Sequence, residues 1–117
     1  MDIAMIVCSL VLALMVLVSG AAKLRKSPQI VEGMAHVGVS ESQLPLLATL
    51  EILGGVGLLV GFGPKILGQL AAVGVALYFL GALIAHLRKR DGVALFAPAF
   101  VLFVLAVVTV GLQVNRS

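Results

Sequence analysis

Four apolar stretches fill most of this 117-residue chain, each close to the roughly twenty residues that cross the hydrocarbon core of a bilayer as a helix. They cover residues 3–22, 44–62, 66–87 and 93–113. The first carries no charge and the second carries one, Glu51. In oil every backbone polar group must be bonded within the chain, which leaves helices as the solution for segments of this length. The sequence therefore predicts an all-α polytopic membrane protein. One domain, residues 1–117, would form an antiparallel four-transmembrane-helix bundle.

Composition points the same way. Hydrophobic residues are 62% and charged residues 11% of the chain, against about half and about a quarter in soluble domains. A water-soluble fold would have too few polar side chains to cover itself. The net charge of +3 does not indicate nucleic acid, because the basic residues flank the spans and aromatic residues for base stacking are scarce. Cys8 is the only cysteine, so the chain has no internal disulfide, no CxxC pair and no cysteine zinc site. In an apolar helix it reads as a small hydrophobe. The first stretch follows Asp2 rather than a basic segment and outruns the apolar core of a secretory signal, so a retained helix is expected.

The basic residues set an orientation. Lys23, Arg25 and Lys26 follow the first span, and Arg88, Lys89 and Arg90 follow the third, whereas the opposite side holds Lys65 and Arg116. Cytoplasmic loops are enriched in Lys and Arg. Loops 23–43 and 88–92 are thus expected in the cytoplasm and both termini outside, in a bacterial inner membrane.

The first loop has structure of its own. Ser27 and Pro28 read as N-cap and first helical position. Ile30, Val31, Met34 and Val37 recur at helical spacing among the polar Gln29, Glu32 and His36, and Gly38 suits a left-handed helix end. A short interfacial amphipathic helix over about 28–37 is expected, with His36 on its solvated face and a partner-recognition role as the alternative. Ser40 and Gln43 have capping-box spacing, with Glu41 at the positive end of the next helix. Gly61, Gly63 and Pro64 should turn the second span into the third, and residues 88–92 the third into the fourth. Pro98 is placed to kink the fourth span.

Lipid is as apolar as leucine, so association of the spans needs close backbone approach at small residues. Ala71, Gly74, Tyr78, Gly81 and Ala85 form one stripe of the third span, and Ala48, Glu51, Gly54, Gly55, Leu58 and Gly61 a broader face of the second. Gly54, Gly55, Gly74 and Gly81 are the expected packing glycines. Glu51 lies on that face, about ten ångströms from the cytoplasmic boundary. An ionisable residue at depth faces the bundle or a cavity. Lys23, with Ser19 a turn above it, Tyr78 and His86 lie at compatible depths, so Ser19, Lys23, Glu51, Tyr78 and His86 are expected to form an intramembrane polar cluster. Such a cluster serves either as structural glue or as a ligand or proton site. No catalytic triad, phosphate loop or metal-ligand spacing is present, and the residues identify no cofactor.

Several of these segments resemble the DoxX-like family of small four-helix membrane proteins. The resemblance is carried by residues 19–24 (SGAAKL) at the end of the first span, by Glu51 with Gly54, Gly55 and residues 57–61 (GLLVG), by the stretch from Tyr78 to His86, and by Ala97-Pro98-Ala99. It covers nearly the whole chain. The family is named for a subunit associated with a quinone oxidoreductase; some relatives accompany redox or oxidative-stress complexes, and others resemble eukaryotic membrane chaperones. The resemblance thus implies an accessory or scaffold subunit that binds partner proteins, lipid or quinone in the bilayer. Two alternatives stand beside it: a small proton-coupled transporter using Glu51, and a redox-complex membrane subunit with Tyr78, His86 and Glu51 around a head group. A membrane-protein partner or a homo-oligomer is expected in each case.

Overall fold

The computed structural model describes residues 3–25, 28–36, 38–89 and 93–115, without the side chains of Glu41 and residues 93–96. The roles expected of Lys26, Ser27, Val37, Arg90, Arg116 and the end of the 88–92 turn lie outside the described residues. Five α-helices follow in order: α1 (Ile3–Arg25), α2 (Pro28–His36), α3 (Leu44–Val60), α4 (Lys65–Arg88) and α5 (Val93–Val114). A 3-10 turn, Glu41–Gln43, leads into α3. The described residues contain no strand.

Among the described residues three helices are long and apolar enough to cross a membrane: α1, α4 and the Ala97–Val114 part of α5. The fourth expected span is shorter. α3 has 17 residues and rises about 26 Å, because the helix stops at Val60, two residues before the apolar run ends, and the chain turns at Gly61. There the Gly61 and Gly63 amides bond back to the carbonyls of Gly57 and Val60 at 2.8 and 3.0 Å, and extended Pro64 opens α4.

α1 packs on α3, α3 on α4 and α4 on α5, and α1 also meets α5. The shared core holds Leu12, Ala13 and Val16 of α1, Leu58 of α3, Ala72, Val75 and Phe79 of α4, and Leu102 and Ala106 of α5. On α1 the buried positions Met5, Ser9, Leu12, Val16, Gly20 and Lys23 recur at three- and four-residue steps, which is one helical stripe. The opposite faces are apolar too: Leu14, Leu53, Leu70 and Leu77 are all more than 60% exposed. In water such a surface would aggregate; against acyl chains it is matched.

The small-residue stripe of α4 differs from the expected packing face. Buried on α4 are Gly68, Ala72, Val75 and Phe79, a stripe one residue, or about 100°, round the helix from Ala71, Gly74, Tyr78 and Gly81. Added Cβ atoms at Gly74 and Gly81 would meet nothing within 4 Å. These two glycines leave space rather than closing a contact. α3 behaves otherwise. A Cβ on Gly54 would stand 2.6 Å from Val75 Cγ2, and one on Gly55 2.7 Å from Leu17 Cγ, so these two positions require the absence of a side chain.

The first loop follows its chemistry. α2 ends in a Schellman motif, with Gly38 at φ 88°, Val39 N–H bonded to Met34 O at 2.8 Å and Gly38 N–H to Ala35 O at 3.0 Å. Ile30, Val31 and Met34 are half-buried, while Gln29, Glu32 and His36 are exposed. Gln43 Oε1 accepts the Ser40 amide at 3.0 Å, which is half of the expected capping box, displaced onto the 3-10 turn.

Candidate functional site

The geometry of the polar cluster begins with a glycine. A Cβ on Gly20 would lie 2.8 Å from Ile52 Cγ1 and 3.2 Å from the Ala48 carbonyl, so α1 and α3 run backbone against side chain at this level. One turn further along, Lys23 extends its ammonium inward rather than to the bilayer surface. It forms an ion pair with Glu51 Oε1 and donates a hydrogen bond to Ser19 Oγ at 3.0 Å. From the other side Tyr78 on α4 donates its phenol O–H to the same Glu51 Oε1 at 2.8 Å. Glu51 is 2% and Lys23 8% exposed.

One carboxylate oxygen thus joins three helices. Both charges are withdrawn from solvent, and their mutual attraction offsets a desolvation penalty of several kcal/mol per ion. The second oxygen, Oε2, is buried and has no hydrogen-bond partner among the described residues. Phe79 packs edge-on against Tyr78, ring centres 5.1 Å apart, which holds the phenol on its acceptor.

Beside this knot lies a cavity of about 370 Å³. Its lining includes the polar Ser19, Lys23, Tyr78 and His86 and the apolar Leu47, Phe79, Ala82, Ala99 and Leu102. Gly81 and Ala85 of the α4 stripe border it, whereas Ala71 of the same stripe packs closely on Gly57 of α3. Of the five cluster residues, Ser19, Lys23, Glu51 and Tyr78 are linked by direct bonds, and His86 stands on the cavity wall. Met34 and Val39, the two apolar ends of the Schellman motif, line its side; helical spacing signalled an apolar face for Met34, but not what it would cover, and gave no signal for Val39.

A second polar knot sits nearer the other end of the helices. Gln113 Nε2 donates to Ser9 Oγ at 3.0 Å, Gln69 Nε2 donates to the Gln113 carbonyl at 3.0 Å, and Ser9 and Gln113 are fully buried. Sequence reading missed it, although uncharged amides within apolar runs were its signal. Among the described residues no group of three His, Cys, Asp or Glu side chains could hold a metal ion.

A helical chain with apolar outer faces, a paired charge inside and uncharged amides bonded between helices defines a membrane protein. The profile of the DoxX-like family matches residues 7–109, and the chain belongs to that family. No curated protein and no solved structure matches it.

Proposed function

We propose that this chain is a four-span accessory subunit of the bacterial inner membrane that holds a lipid or quinone in the cavity beside Lys23. α1, α3, α4 and α5 cross the bilayer as an antiparallel bundle, α3 spanning with the help of its 3-10 turn. α2 lies in the cytoplasmic interface, loops 23–43 and 88–92 are cytoplasmic, and the termini are outside. The observation that carries the reading is the lining of the cavity: a largely apolar set of side chains with four polar ones, Ser19, Lys23, Tyr78 and His86, among them. Such a lining matches an amphiphile, whose head group would meet Lys23, Tyr78 and His86 while its chain lies along Phe79 and Leu102.

A proton-exchanging role for Glu51 has less support, because Oε1 is already committed to Lys23 and Tyr78. A redox role would require a partner to carry the electrons.

Native purification in mild detergent, followed by mass spectrometry of bound lipid, quinone and protein, tests the proposal. A retained amphiphile, lost on filling the cavity with Gly81→Leu, is the expected result. A bare chain with neither ligand nor partner would contradict it. Co-purification of an oxidoreductase would assign the accessory role to a redox complex.

A further inference from the structure

The head group taken by the cavity beside Lys23 follows from the protons its lining still has to give, and rests on the reading of that cavity as an amphiphile site. The ion pair meets the cavity through one partner only. The Glu51 side chain is fully buried, whereas that of Lys23 keeps 11% of its surface. Lys23 and Ser19 line the cavity and Glu51 does not.

An ammonium has three N–H donors. Lys23 directs one to Glu51 Oε1 and one to Ser19 Oγ at 3.0 Å, which leaves one. Ser19 Oγ accepts from Lys23, so its own O–H turns away from the ammonium. The Tyr78 hydroxyl proton is already on Glu51. Ser19 and Lys23 thus offer two protons from atoms 3.0 Å apart, both within reach of a single oxygen.

Donors in an apolar setting call for an acceptor, and charge narrows the choice. Glu51 already neutralises Lys23, so a carboxylate or phosphate head would leave a net negative charge in oil, which is costly. A carbonyl is neutral, brings no proton of its own and takes two donors on the two lone pairs of its oxygen. We propose that the cavity binds a neutral amphiphile through a carbonyl oxygen, which accepts hydrogen bonds from Lys23 Nζ and Ser19 Oγ. An acyl ester of a lipid and a ring ketone such as a quinone's both present that group.

The test uses four probes of similar chain length: methyl dodecanoate, 2-tridecanone, tridecane, which has no acceptor, and the dodecanoate anion. Binding of each to the full chain in detergent micelles is measured by native mass spectrometry. The ester or the ketone should bind roughly tenfold more tightly than tridecane, the scale of one hydrogen bond from a charged donor, and dodecanoate no more tightly than its ester. The tighter of ester and ketone indicates the source, a lipid acyl ester or a ring ketone, and either supports the assignment. The double substitution Lys23→Met, Glu51→Met removes the ammonium together with its counter-charge. It should bring the carbonyl probes down close to the level of tridecane, with tridecane binding and the helical circular dichroism unchanged. Equal binding of the carbonyl probes and tridecane, tighter binding of dodecanoate, or an undiminished carbonyl preference in the folded double variant would overturn the assignment. If all binding is then still lost in Gly81→Leu, the amphiphile reading of the cavity stands without it. Binding that ignores Gly81→Leu, or no binding of any probe, would overturn both.

Discussion

Lys23 at the end of α1 and Glu51 on α3 form an ion pair inside the helix bundle, with Tyr78 from α4 donating to the same carboxylate oxygen. Lysines at helix ends ordinarily extend to the membrane surface. Here the close approach at Gly20 and the hydrogen bond to Ser19 direct the side chain inward.

Tyr78→Phe removes one of the two donors on Glu51 Oε1 and keeps the ring against Phe79. The expected loss is about 1 kcal/mol, the usual scale of an interhelical hydrogen bond in a membrane protein. Reversible unfolding in mixed micelles measures it. A loss of about 3 kcal/mol or more would mean that the phenol supports the ion pair as a whole.

The glycines should separate into two classes. Gly55→Ala puts a methyl 2.7 Å from Leu17 Cγ and should destabilise by about 1–3 kcal/mol through overpacking. Gly74→Ala and Gly81→Ala meet nothing and should be neutral or stabilising by up to about 1 kcal/mol, because alanine is the better helix former. Parallel melts of the three variants decide. A uniform loss would restore the whole α4 stripe as a packing face.

That division marks where sequence reading stopped. The second-span face was legible because Ala48, Glu51, Gly55, Leu58 and Gly61 follow one helical stripe, and all are buried. The α4 stripe was equally regular, yet the core takes the adjacent line of Ala72, Val75 and Phe79. A row of small residues permits close approach without compelling it, and van der Waals contact from larger side chains decided the rotation. The polar cluster was readable from depth alone, since a buried carboxylate needs a cation and few lay in reach. The cavities were not readable, because a void depends on how four helices tilt together.

Gln113→Ala removes the amide that donates to Ser9 and leaves the Gln113 carbonyl free to accept from Gln69. A loss of about 1 kcal/mol is expected, and Ser9→Ala should add little on top of it, since both changes break the same bond. Additive losses would show that Ser9 and Gln113 act separately.

The proposed orientation has its own check. Alkaline phosphatase fused after Ser117 should be active, and a green fluorescent protein in the same place dark, if the C-terminus is outside as proposed. The reverse pattern would invert the topology and place the Lys23 cavity on the outer side.

A double-mutant cycle on Lys23 and Glu51 tests the central feature most directly. Lys23→Met alone and Glu51→Met alone each leave a buried group unpaired and should cost about 3 kcal/mol or more, whereas the double substitution replaces the pair with apolar side chains and should recover most of the loss. The account predicts a coupling energy of about 2 kcal/mol or more, insensitive to salt because the pair is out of the solvent. Additive losses, with the double variant as unstable as the sum of the singles, would show that the two side chains do not meet inside the protein.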